Sequence, residues 1–117
     1  MEISKEFVSI ILNEEVSSSR IEGDYVFLIR KNTDYGLAEG ELINLYEFIY
    51  KNCIDWAFNH GYNLAVLEDI KTEKFGVLTD SFLVGFNFSE DVEKQKTREE
   101  AIIKACEWIL EQSKCQN

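Results

Sequence analysis

The chain contains no proline at all. No helix is broken by a ring lacking an N–H, and no loop is stiffened by one. Histidine occurs once, at position 60, and the cysteines are Cys53, Cys106 and Cys115, far apart in sequence. That scarcity argues against a zinc site, whose ligands are chiefly Cys and His, in structural sites typically as closely spaced pairs. An odd cysteine set without framework spacing also argues against a secreted disulfide scaffold. Basic residues are few: 12 Lys and Arg stand against 22 Asp and Glu, for a formal charge of −10. Direct binding of nucleic acid or an anionic membrane is disfavoured, since both rest on cations meeting phosphates. No apolar run reaches membrane-spanning length, and the run over residues 7–12 is too short for a leader. The cytosol is the expected compartment. The stretch Gly36-Leu37-Ala38-Glu39-Gly40 lacks the lysine and the strand–helix setting of a phosphate loop.

What is present suits a globular fold. The 117 residues fit one domain, 45% of them are apolar, and eight Phe, five Tyr and two Trp supply area to bury. Residues 4–15 have helical periodicity, with Phe7, Ile10 and Ile11 flanked by Val8 and Leu12. Ser17 to Ser19 read as a turn. Residues 24–30 read as a strand, apolar on both sides, so that either both faces are covered or one lies against a partner. Residues 31–41, with Gly36, Gly40, Asp34, Glu39 and Glu41, read as a flexible acidic loop.

The next helix is signposted in detail. Asn44 and Glu47 form a capping-box pattern, Ile43 and Phe48 stand as a hydrophobic staple, and Gly61 is placed to end the helix after His60. Its polar stripe of Glu47, Lys51, Asp55 and Asn59 is narrow, so burial over most of its circumference is expected. Residues 62–70 alternate as a strand. Residues 75–79 and 82–88 read as two more strands, or one bent strand interrupted at Asp80-Ser81, with Phe82, Val84, Phe86 and Phe88 on one face. Thr97 and Glu100 open a final helix to about Ser113, with Ile102, Cys106 and Ile109 on one face and Trp108 off that stripe. Residues 114–117 read as a frayed tail. The predicted class is α+β in the order α-β-α-β-β-β-α, a single domain over 1–117 with an antiparallel sheet packed against amphipathic helices.

The segment INLYEFIYKNCIDWAFNHGY, from Ile43 to Tyr62, and the closing EEAIIKACEWIL, from Glu99 to Leu110, resemble a set of small bacterial and prophage-encoded proteins. Those carry I-N-x-Y-E, C-x-x-W-A and G-Y, and end in E-A-I-x-K-A-C-E-W-I-L. They look like the phage α-β-α sandwich type of domain. The resemblance covers the chain from about Ile43 onward, and its motifs are caps and core aromatics. It implies a phage or prophage accessory protein and transfers no catalytic residue.

Candidate chemistry is thin. His60 sits at a helix C-terminus with no placed nucleophile. The acidic pairs Glu14-Glu15, Glu68-Asp69 and Glu90-Asp91 lack calcium-loop spacing. Tyr25, Phe27, Phe82, Phe86 and Phe88 could stack bases, but their alternation favours core packing. No catalytic residue, metal or cofactor is expected. The favoured function is protein–protein binding, with an inhibitor of a host defence protein, of anti-CRISPR or anti-restriction kind, as the concrete form. In a nucleic-acid-mimic version, Glu14, Glu15, Asp34, Glu39 and Glu41 would occupy the basic groove of a nucleic-acid-binding host protein. Trp108 is a further candidate contact. The alternative is an oligomeric, sponge-like binder of a small ligand or nucleotide, using aromatics with Arg20, Arg30 and Arg98. An enzyme is the third reading, and homodimerisation is compatible with all three.

Overall fold

A computed structural model of the chain describes residues 3–31, 38–81, 85–88 and 95–115. It is α+β, with two three-stranded antiparallel sheets ordered β1-β2-β3 and β4-β5-β6. The elements are α1 (Lys5–Leu12), β1 (Ser18–Glu22), β2 (Tyr25–Lys31), β3 (Ala38–Asn44), α2 (Leu45–Glu47), a π-helical segment (Phe48–Cys53), α3 (Ile54–Asn59), β4 (Tyr62–Asp69), β5 (Lys74–Ser81), β6 (Gly85–Phe88) and α4 (Arg98–Cys115). By its internal contacts the chain divides into two compact units, Met1–Asn52 and Cys53–Asn117.

In the first unit, the Ser4 hydroxyl accepts from Phe7 N at 3.1 Å and caps α1. Asn13, with φ of 54°, turns left-handed and ends α1 short of the predicted Glu15. Phe7, Val8 and Ile11 are buried, while Ile10 stays 39% exposed. Ser17 to Ser19 are no simple turn, because β1 begins at Ser18 and pairs with β2 in register Ser18↔Ile29 to Glu22↔Tyr25. The hairpin closes through Gly23, whose φ of +58° suits the first central position of a two-residue turn. β3 pairs with β2 from Tyr25↔Asn44 to Lys31↔Ala38. Residue 31 and residues 38–41 of the predicted acidic loop therefore belong to β2 and β3; residues 32–37 lie outside the described residues. Phe7 meets Phe48 edge to face, with ring centroids 6.3 Å apart, and Val16, Val26, Leu28, Leu45 and Ile49 are also buried.

Asn44 caps the second helical stretch as its sequence pattern predicts, Oδ1 accepting from Glu47 N at 3.1 Å. The π-helical segment was not legible; Phe48 and Cys53, at its two ends, are both fully buried. Burial over most of the circumference does not hold. Tyr46, Tyr50 and Phe58 are 46%, 43% and 53% exposed, because apolar residues outnumber the positions that face inward.

In the second unit, His60 N reaches Ala57 O at 3.0 Å, and Gly61 follows with φ of 89°, the left-handed ending its position predicts. β4 pairs with β5 from Tyr62↔Ser81 to Asp69↔Lys74, and β5 with β6 from Leu78↔Phe88 to Ser81↔Gly85. The meander is as expected, with two strands where one bent strand was the alternative. Residues 82–84 and the side chains of Phe86 and Phe88 lie outside the described residues. Thr97 Oγ1 accepts from Glu100 N at 3.2 Å and caps α4, which runs to Cys115 and takes in the start of the predicted frayed tail. Val77, Ala101 and Ala105 form a close-packed cluster against Leu64, Val66 and Phe75, seating α4 on the sheet. Small residues at 101 and 105 let helix and strand approach. The predicted order thus lacked β1 and β3, and the one predicted sheet is two.

Candidate functional site

The side chains of β2 alternate. Val26 and Leu28 are fully buried on one face, and Tyr25, Phe27 and Ile29 occupy the other. Cross-strand register extends that second face into rows: Ser18, Ile29 and Gly40; Arg20, Phe27 and Leu42; Glu22, Tyr25 and Asn44. Tyr25 is 47% and Leu42 56% exposed, with Phe27 and Ile29 half-buried between them. The expectation that Tyr25 and Phe27 are core residues is corrected: the pleat sends the core-forming role to Val26 and Leu28.

This open face is ordered. The Arg20 guanidinium lies 5.0 Å above the Phe27 ring, and its Nη2 is 2.7 Å from Glu22 Oε1. Phe27 leans over Gly40, where an added Cβ would stand 3.1 Å from the ring tip. An aromatic ring covering a sheet glycine restores packing the glycine cannot supply. The result is an apolar strip with one internally neutralised charge pair.

The predicted acidic contacts do not form one array. Glu14, exposed beyond α1, receives Arg30 Nη2 at 2.6 Å, and Glu41 on β3 pairs with Arg30 Nη1. One guanidinium thus gathers two of the five candidate carboxylates, at the rim of the covered face of the first sheet. Glu15 is exposed. Glu39 holds a β3 register position opposite Arg30, but its side chain lies outside the described residues, as does Asp34. Trp108 is half-buried in the second unit, edge-on to Tyr62 at 5.9 Å. Its indole Nε1 is shielded from solvent without an acceptor among the described residues, which places it at the core edge.

The cations of the ligand-binding reading are engaged as well. Arg20 and Arg30 are ion-paired, and Arg98 lies 5.3 Å over Phe75. His60 stacks on Trp56 with centroids 4.3 Å apart, and its Nδ1 is 2.8 Å from the Trp56 carbonyl, which can only accept, so the ring N–H donates. Cys53 and Cys106 are buried and reduced, and Cys106 Sγ lies 3.6 Å from the Cys53 carbonyl. The hydrogen bond to Cys106, and then burial, push the Cys53 thiol far above the ordinary range, so it stays protonated and poorly nucleophilic. Among the described residues no group of His, Cys, Asp and Glu is placed to hold a metal, and no helix is long and apolar enough to cross a membrane.

The structure defines an α+β protein with two antiparallel meanders, one of them presenting an apolar face. Comparison with family models, curated proteins and solved structures returns no match.

Proposed function

We propose that this chain is a small, cytosolic, non-enzymatic protein-binding module that engages its partner through the open face of the first sheet. The supporting observation is the strip of Tyr25, Phe27, Ile29 and Leu42, held in place by Arg20 and Gly40 and left accessible while the opposite face is buried. An exposed, preorganised aromatic and aliphatic surface is the kind that anchors protein interfaces. The strip is neutral in a chain of formal charge −10, so the fitting partner is a protein with an apolar patch and a basic rim. A basic, nucleic-acid-binding host protein has that chemistry. The phage or prophage setting, and inhibition of a host defence protein, are implied by the sequence resemblance. Mimicry by free carboxylates is the weaker form of this reading, because Arg30 already engages Glu14 and Glu41.

The test is affinity capture from nuclease-treated bacterial lysate over a salt series. Three proteins are compared: wild type, the pair Tyr25→Asp and Leu42→Asp, and the pair Glu14→Gln and Glu41→Gln, each checked for folding by circular dichroism. The expected result is a partner kept by wild type and by the carboxamide pair, and weakened roughly tenfold or more by the aspartate pair. Loss with the carboxamide pair and a steep salt dependence would establish mimicry instead. Equal capture by all three overturns the docking face.

A further inference from the structure

A sheet edge exposes a row of unpaired backbone groups, and proteins guard such edges with charges, proline or brevity. The edges of the two sheets differ in this respect. β1 spans five residues and carries the Arg20–Glu22 pair. β3 carries Glu39 and Glu41, and β6 is only four residues long. β4 spans eight residues, and Tyr62-Asn63-Leu64-Ala65-Val66-Leu67 contains no charge and no proline. Among the described residues β4 pairs with β5 alone.

We infer that the outer edge of β4 pairs antiparallel with β4 of a second copy, about a twofold axis at Ala65, joining two three-stranded sheets into one. The strand is self-complementary in that register. Leu64 falls opposite Val66 of the second copy on the helix-covered side, and Asn63 opposite Leu67 on the exposed side, so the inside and outside of both sheets stay aligned. Charge agrees as well. The only carboxylates, Glu68 and Asp69, lie at the C-terminal end, opposite the uncharged Tyr62 and Gly61 of the second copy, and like charges never face each other across the axis. The pairing closes on itself and uses up both unguarded edges. It involves no residue of the docking face, so either proposal can fail without the other.

Two chains of charge −10 repel at long range, and salt screens that repulsion, so the dimer tightens as salt rises. Sedimentation equilibrium of the full chain, over the micromolar range at low and high salt, should show the mass rising from 13.6 kDa toward twice that value, further at high salt. Ala65→Lys, at an exposed position, sets two ammonium groups opposite each other on the axis and should return the mass to 13.6 kDa. Ser18→Lys, on the edge of the first sheet, should leave the dimer intact. Wild type at monomer mass throughout, as a foreign strand on this edge would require, overturns the inference. So does a folded Ala65→Lys dimer, or loss of the dimer with Ser18→Lys. If Ala65→Lys does not fold, wild-type amide exchange decides: protection in β4 should increase with concentration, and exchange independent of concentration overturns the pairing.

Discussion

The two sheets share one topology, three antiparallel strands in sequence order, yet they leave different parts uncovered. The first has charged edges and an apolar face: Arg20, Glu22 and Glu41 stand on its outer strands, and Tyr25 and Leu42 are about half exposed on its open face. The second has a face closed by α4 and an edge without charge along Tyr62 to Leu67. Strand count and direction therefore do not decide which part of a sheet is left uncovered. The placement of a few charges and the position of the covering helix decide it.

The largest expected effect lies in the two interiors. Phe48→Ala removes a fully buried ring that meets Phe7 edge to face and should cost about 3–5 kcal/mol, and Ile102→Ala, fully buried in α4, about 2–5 kcal/mol. Urea denaturation gives the totals. Amide exchange tests the division into units: Phe48→Ala should speed exchange first in β2, and Ile102→Ala first in β5. If both speed the same strands equally, the comparison between regions fails.

The second effect belongs to the second unit alone. Because the folded state raises the Cys53 pKa, the unfolded chain releases this proton at lower pH than the folded one. The stabilisation is complete below the unfolded thiol value of about 8.5, and above it stability falls by up to about 1.4 kcal/mol per pH unit for this group. Cys53→Val should flatten that decline between neutral and alkaline pH, measured by urea titration. An unchanged slope would show that the thiol is not responsible.

The smallest effect sharpens the account of the first unit. Arg30→Met removes the partner of Glu14 and Glu41, all three being partly exposed, so the loss should be about 1 kcal/mol or less and should shrink as salt is added. A loss of several kcal/mol, indifferent to salt, would mean that the cluster is a buried structural element and not a rim.

Much of this was legible in the residues. Asn44, Thr97 and Gly61 act where their patterns place them, because capping depends on neighbours three or four positions away. The apolar double-sidedness of Tyr25 to Ile29 signalled two apolar faces, of which the structure buries that of Val26 and Leu28 and leaves Tyr25 exposed on the other. β1 was missed because Ser18-Ser19-Arg20-Ile21-Glu22 has one apolar residue, although Gly23 marked the hairpin. β3 was missed because Gly40 and its acidic neighbours read as loop, and with it went Leu42. In β3 Gly40 is covered by Phe27, thirteen residues earlier in the chain, a contact its local sequence does not show.

The sequence by itself determined the caps at Asn44 and Thr97, the ending at Gly61, the α+β class, the meander after Tyr62 and the acidity, since each follows from local pattern or composition. The tertiary structure alone decided that there are two sheets, that Arg30 gathers Glu14 and Glu41, and which side of β2 stays open. The physical reason is that pairing and burial join residues distant in the chain, and one residue's pattern does not reveal which of two apolar faces its distant neighbours will cover.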